Sequence, residues 1–331
     1  MQYKAIVTIR IFFRKTFTLL NILQRPDALP VLSERLSQNA RELLLKLKGN
    51  KPFPYKQSLG FPFICIPESS TSVHIFIQND YAEKLEANLS LSWLNEGDTC
   101  VDIGANVGYF TALFAHCVGS SGQVVSVEAS PKTIQHLTNL VDLLSLGQVK
   151  VKHACITDGS QQFIEFYIHN EKSSDLMQSL FPSLDTRGNY TPVQVESISI
   201  EQLSKMYHLT NQVSLVKIDI EGAEPIALSN SSSLIKTSSP PLVIIEVAEN
   251  ALKRQTCTTH DILKYFPSEV YDLFVSNISY PNSTPDIEIG YLYPLANLTS
   301  TKLPWLFNLI ALPKSGKFSD RKAQISSHLF K

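Results

Sequence analysis

A glycine-containing turn between a strand and a helix, within residues 99–111, constrains the fold of this chain more than any other feature. Val101 and Ile103 are β-branched and apolar, which is typical of a strand buried on both faces of a parallel sheet. Gly104 and Gly108 bracket a bend in which the backbone can approach a ligand closely. After Gly108 the apolar residues repeat with helical spacing. The segment therefore predicts a strand, a ligand-binding turn and a helix, in that order.

Strands and helices alternate along most of the chain. Strands are predicted at 99–104, 124–128, 149–156, 213–219 and 242–247. Helices are predicted at 81–95, 109–118, 131–144, 200–207, 222–236 and 259–266. This alternation predicts an α/β fold with a Rossmann-like, doubly wound and mostly parallel sheet, and late strands near 269–275 and 306–312 are expected to form an antiparallel edge. Two further strand-like runs, 163–168 and 193–200, flank a polar loop at 170–192 that is a candidate lid.

Three regions are expected along the sequence. Residues 1–80 contain basic helices and a hairpin, residues 81–313 form the Rossmann-like domain, and residues 314–331 form a polar tail. Within the first region, a basic helix is predicted at 31–50. Alternating, β-branched residues at 61–79 predict a hairpin that turns near residues 68–71.

Residues 1–24 have lysines and arginines on one side of a helical wheel and apolar residues on the other, with no acidic residue. This pattern is typical of a helix on an anionic membrane surface. The alternative, which we favour, is a helix packed against the protein's own body. Basic residues interrupt the apolar stretch, so a secretory signal is not expected. No apolar run is long enough to span a bilayer.

Composition excludes several classes of protein. The net charge of −1 gives no reason to expect a nucleic-acid partner. The five cysteines are scattered, without metal-ligand spacing, so neither a disulfide framework nor a zinc site is expected. We expect a cytoplasmic protein, with peripheral membrane contact through residues 1–24 as an open alternative.

The turn itself differs from a dinucleotide-binding motif. The chain has Gly104-Ala-Asn106-Val-Gly108 where such a motif has Gly-x-Gly-x-x-Gly. With Asp102 at the strand end, it resembles the first motif of S-adenosylmethionine-dependent methyltransferases. Asp102 suits the ammonium of the cofactor's methionine part, and the N-terminus of the next helix suits its carboxylate. Glu128, at the end of the second strand, suits the ribose diol.

Later strand ends add further carboxylates. Asp158 follows the third strand, where it either accepts a hydrogen bond from the adenine amino group or forms a simple turn with the next glycine. Asp219, Glu221 and Glu224 surround the end of the fourth strand, and such crowding is uncommon unless it serves a ligand, a metal or a proton transfer. Glu246 lies in an otherwise apolar fifth strand, where an isolated buried carboxylate is costly.

Four segments together resemble the FkbM-type methyltransferases: Asp102-Ile-Gly-Ala-Asn-Val-Gly-Tyr-Phe-Thr111, Val127-Glu-Ala-Ser-Pro131, Val216-Lys-Ile-Asp-Ile-Glu-Gly-Ala-Glu224 and Ile244-Ile-Glu-Val247. The resemblance covers residues 80–312, although Glu-Ala-Ser replaces the more usual Glu-Pro-Ser and the loop at 170–192 follows no familiar pattern. It implies that Gly104, Asn106 and Glu128 hold S-adenosylmethionine. It also implies that Asp219 and Glu221 face the methyl transfer, and that the acceptor is a hydroxyl group of a sugar, glycan, glycolipid or secondary metabolite.

Methyl transfer to an alcohol needs a general base that removes the hydroxyl proton. We expect Asp219 or Glu221 to act as this base, with Glu246 as a further candidate, and Asp219 also to touch the cofactor. Mg²⁺ at the same carboxylates is an open alternative, but no further ligand is identifiable, so no metal ligands are assigned. A catalytically inactive nucleotide-binding scaffold, anchored by the N-terminal helix, is the alternative function. An NAD-dependent oxidoreductase is disfavoured because Gly-x-Gly-x-x-Gly is absent.

Overall fold

The computed structural model describes residues 37–79, 83–170, 180–181, 190–278, 287–298 and 303–331. The predicted helix at 1–24 and most of the candidate lid at 170–192 lie outside these residues and stay predictions. The chain divides into two compact units with the boundary after Tyr81. Within the described ranges, no helix has the length and apolar character needed to cross a membrane.

The first unit contains a two-stranded hairpin and two helices. Its elements are α1 (Gln38–Lys48), β1 (Phe53–Lys56), β2 (Pro62–Cys65) and α2 (Ser70–Gln78). The strands β1 and β2 pair in antiparallel fashion, so the hairpin turns at 57–61. On α1, Arg41 is buried and donates a hydrogen bond to the carbonyl oxygen of Phe76 at 2.9 Å. The helix predicted at 31–50 is thus confirmed over α1.

The hairpin predicted near residues 68–71 is wrong, because these residues begin helix α2. Ser69 precedes the helix, and its hydroxyl oxygen accepts a hydrogen bond from the Ser72 N–H at 3.1 Å, as an N-cap residue does. Ile75 and Phe76 are fully buried on one side of the helix. Burial of this apolar side outweighs the β-propensity of the local sequence.

The second unit is built around an eight-stranded sheet. Its strands are β3 (Thr99–Ile103), β4 (Gln123–Glu128), β5 (Val149–His153), β9 (Val213–Ile218), β10 (Leu242–Ala248), β11 (Tyr271–Asn277), β12 (Leu292–Pro294) and β13 (Leu306–Pro313). Their order is β12-β11-β13-β10-β9-β3-β4-β5. The five strands from β10 to β5 in this order run parallel, whereas β13 is antiparallel to both β10 and β11. The predicted doubly wound α/β sheet with an antiparallel edge is confirmed.

A smaller, three-stranded sheet has the order β6-β8-β7. Its strands are β6 (Cys155–Thr157), β7 (Phe163–His169) and β8 (Tyr190–Ser199). The single strand predicted at 149–156 is therefore wrong, since the chain changes sheets at Ala154. The Ala154 N–H donates to the carbonyl oxygen of Glu128 at 3.1 Å, and β6 then pairs with β8 instead of β4.

Helices connect the strands of the second unit. They are α3 (Lys84–Trp93), α4 (Tyr109–Val118), α5 (Thr133–Leu143), α6 (Ile200–Tyr207), α7 (Glu224–Leu228), α8 (Ser232–Ile235), α9 (Glu249–Lys253) and α10 (Thr259–Leu263). The single helix predicted at 222–236 is wrong, because it is divided into α7 and α8. Between them, the hydroxyls of Ser229 and Ser231 donate to the carbonyl oxygens of Ile226 and Leu228, which ends α7.

Residues 314–331 belong to the second unit and pack against its other elements. Phe318 is fully buried, and the 3₁₀ turns 319–324 and 327–329 follow it. Arg321 contacts Asp98 with both terminal nitrogens and donates to the carbonyl oxygen of Trp93 at 3.0 Å. Residues 314–331 thus include buried and ion-paired side chains, although their sequence is polar.

Candidate active site

The loop after β3 is held tightly at the carboxyl edge of the sheet. Asp102 is 1% exposed, and the Thr111 hydroxyl donates to its Oδ2 at 2.6 Å. Burial raises the pKa of Asp102 to about 6. Gly104 has φ +80°, and its N–H donates to the carbonyl oxygen of Val127 at 2.9 Å. These contacts fix the backbone of the loop against β4, while the predicted contact of Asp102 with the cofactor's ammonium stays a prediction.

The loop then leads directly into α4. Asn106 and Gly108 both have positive φ angles, +50° and +89°. A Cβ atom on Gly108 would lie 2.8 Å from Leu137 Cδ1, so a larger residue would disturb the packing of α5. Helix α4 begins at Tyr109, as predicted, and its first N–H groups lie beside the loop.

The carboxylate of Glu128, the last residue of β4, links the loop after β3 to the segment that follows β4. Its Oε2 accepts from the Asn106 N–H and its Oε1 from the Ser130 N–H, each at 2.8 Å. Burial raises the pKa of Glu128 to about 7. Hydrogen bonds from the backbone of Asn106, Ala129 and Ser130 thus hold this carboxylate at the end of β4.

Asp158 lies in a different setting from the other predicted cofactor residues. It follows β6 in the three-stranded sheet, and its Oδ1 accepts from the N–H and the hydroxyl of Ser160, at 3.0 and 2.7 Å. These hydrogen bonds hold the pKa of Asp158 below its ordinary value. A turn is thus formed here, and the contact with adenine stays a prediction.

A buried lysine organises the carboxylates at the end of β9. Lys217 is 3% exposed, and its Nζ lies 2.8 Å from Asp219 Oδ2 and 3.6 Å from Glu83 Oε2. Asp219 directly follows β9, and its side chain is 21% exposed. Glu83, at the N-terminus of α3, is buried, and Asn308 donates to its Oε2 at 3.3 Å. Asp219 therefore combines a buried ionic partner with access to solvent.

Two more of the predicted catalytic carboxylates lie close to Asp219. Glu221 has φ +55°, a strained angle for a residue other than glycine, and burial beside Asp219 raises its pKa to about 8. Glu246, on β10, is half-buried, and burial together with Asp219 and Glu221 raises its pKa well above the ordinary value. The structure thus brings Asp219, Glu221 and Glu246 together.

Glu224 lies beside these carboxylates and accepts hydrogen bonds from the loop after β9. Its Oε1 accepts from the N–H groups of Ile220 and Gly222, at 3.1 and 3.3 Å, and it is fully buried. Burial raises its pKa to about 7. It fixes the loop that presents Asp219 and Glu221.

Sequence reasoning missed three members of the site: Glu83, Lys217 and Asn308. Lys217 lies two residues before Asp219, near the end of β9. A lysine in an otherwise apolar, buried strand indicates a buried ionic partner, and this signal was present in the sequence. Glu83 and Asn308 are 225 residues apart in the sequence, and no local pattern connects them.

Carboxylate oxygens of Glu83, Asp219 and Glu246 lie within 4.8 Å of one another, a spacing at which a metal ion can bind. The Lys217 ammonium, however, lies beside two of these three groups. The site therefore contains a positive charge of its own.

A family model described as the methyltransferase FkbM domain matches residues 102–273, which is more than half of the chain. The chain belongs to the FkbM methyltransferase family. The match spans the glycine loop, Glu128 and the carboxylates after β9.

Other similarities are more limited. A protein-L-isoaspartate O-methyltransferase of Methanococcus aeolicus is 34% identical over 73 residues, which cover 22% of this chain and 34% of that protein. The chain spans about a third of the length of the curated relatives it matches. An S-adenosylmethionine-dependent O-methyltransferase of Thermotoga maritima is a solved structure with 14% identity and a TM-score of 0.40, covering 82% of this chain and 80% of that chain. An rRNA methylase of Streptococcus thermophilus has 8% identity and a TM-score of 0.40, covering 70% and 96%.

Membership of the FkbM family identifies S-adenosylmethionine as the cofactor. The residues present fit this molecule chemically. A carboxylate at the end of β4 suits a ribose diol, and the N-terminus of α4 offers N–H groups to a carboxylate. These groups lie at the carboxyl ends of β3 and β4, where ligands bind in open α/β sheets.

Proposed function

We propose that this protein transfers the methyl group of S-adenosylmethionine to a hydroxyl oxygen of a sugar, glycan, glycolipid or secondary metabolite. The observation that supports this proposal most strongly is the position of Asp219 and Glu221, two carboxylates of different character. Asp219 pairs with Lys217, whereas burial raises the pKa of Glu221 to about 8. An oxygen acceptor with a proton to lose needs such a pair, one group to orient it and one to take its proton.

On this proposal, Glu128 holds the ribose diol, the N-terminus of α4 holds the carboxylate of the methionine part and Asp102 its ammonium. Asp158 accepts a hydrogen bond from the adenine amino group. The bound cofactor supplies a methyl group activated by a sulfonium. No protein nucleophile is needed, so the protein's task is to align the acceptor oxygen and to remove its proton.

Glu221 is the favoured base, because a general base works best when its pKa lies near the working pH. Its pKa of about 8 satisfies this condition, while the carboxylate of Asp219 is already engaged by Lys217. Asp219 then accepts a hydrogen bond from the acceptor hydroxyl and holds it in line with the methyl group. Glu246, whose pKa burial raises well above its ordinary value, is the weaker candidate for the base.

The proposal is tested by incubating the protein with radiolabelled S-adenosylmethionine and a panel of monosaccharides, oligosaccharides, glycolipids and hydroxylated metabolites. We expect label in at least one hydroxylated product, formed together with S-adenosylhomocysteine, and little label with Glu221→Gln. Cofactor binding without transfer to any acceptor would favour the inactive scaffold instead. Transfer only to nitrogen or carbon would contradict the assignment of an oxygen acceptor.

A further inference from the structure

Lys217 lies where two carboxylates and an aromatic ring from three parts of the second unit converge. Its Nζ is 2.8 Å from Asp219 Oδ2, 3.6 Å from Glu83 Oε2 and 4.6 Å from the centre of the Phe110 ring. The ammonium is therefore enclosed by a carboxylate that follows β9, a carboxylate of α3 and an aromatic face of α4. Because its side chain is almost completely buried, these groups replace the water that would otherwise solvate it.

The same carboxylates have the geometry of a site for a divalent cation. Oxygens of Glu83, Asp219 and Glu246 lie within 4.8 Å of one another, although the three residues come from separate elements. Hard cations such as Mg²⁺ and Mn²⁺ bind carboxylate oxygens of this kind at short distances. A divalent ion bound to Asp219 and Glu83 would have to lie next to the Lys217 ammonium, and the two positive charges would repel each other.

We propose that the Lys217 ammonium takes the place of a divalent cation in this carboxylate cluster, and so acts as the positioning residue that holds Asp219 for the acceptor hydroxyl. The role of Asp219 rests on the proposed function, whereas the exclusion of a metal ion by Lys217 does not. The consequence is specific: removing the lysine charge converts the cluster into a metal site.

Neighbouring groups fix the cluster around the lysine. Asn308 donates to Glu83 Oε2 at 3.3 Å, and on β13 it is the register partner of Glu246. Asp102, the register partner of Lys217 on β3, adds a further carboxyl group. The charged groups that face Lys217 are thus Asp102, Glu83, Asp219, Glu221 and Glu246. Loss of the lysine charge removes the ionic partner of Asp219 and Glu83, so that a divalent cation can bind their carboxylate oxygens instead.

The test is a titration with Mn²⁺ in which the electron paramagnetic resonance signal of the free ion is measured. Wild type and Lys217→Arg are expected to leave the signal unchanged, whereas Lys217→Met takes up one ion per chain. Adding Asp219→Asn to Lys217→Met abolishes the uptake. The matched control adds Glu68→Gln, which removes an exposed carboxyl of the first unit, and leaves the uptake intact.

Two results would overturn the proposal. One is uptake of Mn²⁺ by the wild type that Asp219→Asn removes, because the ion would then bind beside the lysine. The other is a folded Lys217→Met protein, verified by circular dichroism, that takes up no ion. If Lys217→Met does not fold, Lys217→Gln replaces it, and the wild-type titration still decides whether an ion binds beside Lys217. Titrating the wild type with S-adenosylmethionine tests the cofactor part of the proposed function separately, because that measurement involves no change at Lys217.

Discussion

A Cβ atom on Gly104 would lie 1.8 Å from the backbone carbonyl oxygen of Asp219. The loop after β3 and the loop after β9 therefore touch through their backbones, with no room for a side chain between them. Gly104 also has φ +80°, which an L-residue rarely adopts. This contact sets the distance between the loop that we assign to the cofactor and the carboxylates that we assign to the acceptor.

Gly104→Ala is accordingly expected to lower the free energy of unfolding by more than about 2 kcal/mol, because both the backbone angle and the contact become strained. The matched control is Gly147→Ala, where an added Cβ atom meets nothing within 4 Å. That change is expected to alter the stability by less than about 1 kcal/mol. Urea denaturation measures both, and equal stability of the two variants would contradict the contact.

Stability is expected to fall as the pH rises. Burial raises the pKa of Glu83, Glu128 and Glu224 to about 7 and that of Glu221 to about 8. Above pH 4.5, the ordinary pKa of a glutamate, the folded state therefore binds more protons than the unfolded state. The contribution of these groups to the free energy of unfolding is fully present below that pH and is lost as the pH rises to about 8. We expect the free energy of unfolding to drop by at least about 2 kcal/mol between about pH 5 and pH 8.

Glu224→Gln isolates one part of this effect. The amide is neutral at every pH, so the variant is expected to be more stable than the wild type at about pH 8 but not at about pH 5. Glu68→Gln, at an exposed position of the first unit, serves as the control and is expected to leave the pH dependence unchanged. Thermal melts across this range measure the difference, and a stability that rises with pH would be inconsistent with buried, protonated carboxyl groups.

The rate of methyl transfer is expected to rise with pH. Only ionised Glu221 can accept a proton, and its pKa of about 8 places the increase between neutral and mildly alkaline pH. Glu221→Gln should remove this increase and lower kcat/KM by about 10²–10⁴. Asp219→Asn should lower the rate as well, but with the increase retained. A profile that is unchanged in Glu221→Gln would assign the base elsewhere.

Arg321→Ala is expected to destabilise the second unit by about 1–3 kcal/mol, because it leaves Asp98 with a partly buried, unpaired charge. The guanidinium also donates to the Trp93 carbonyl oxygen, so the C-terminal segment is attached at two points. Lys236→Ala, at an exposed position, is the control. Chemical denaturation measures the change, and a loss no larger than that of the control would show that the ion pair contributes little.

The parts of the fold that were predictable from sequence are those encoded locally. Residues 99–118 combine a buried apolar strand, a turn that needs Gly104 and Gly108, and a helical apolar repeat, and all three signals agree with the structure. Around Ser69 the local signals disagreed, because β-branched residues suggested a strand while the serine hydroxyl caps a helix. There the burial of Ile75 and Phe76 decides the outcome, and such burial depends on the rest of the unit.

The candidate site was predictable to a similar extent. Carboxylates at strand ends could be placed at one edge of the sheet, since parallel strands end on the same side. The partners of Asp219 were not predictable, because Glu83 precedes the sheet and Asn308 lies on a strand that inserts between β10 and β11. The pairing of distant strands fixes these neighbours, and a single sequence does not encode it in any short segment.

The most direct test of the account is calorimetric titration of the wild type and Glu128→Gln with S-adenosylmethionine. The amide cannot accept the hydrogen bonds of both backbone N–H groups and the diol, so we expect wild-type binding that weakens by at least about tenfold in the variant. Glu68→Gln is expected to bind as the wild type does. A folded wild-type protein that does not bind S-adenosylmethionine, or a Glu128→Gln protein that binds it equally well, would contradict the account.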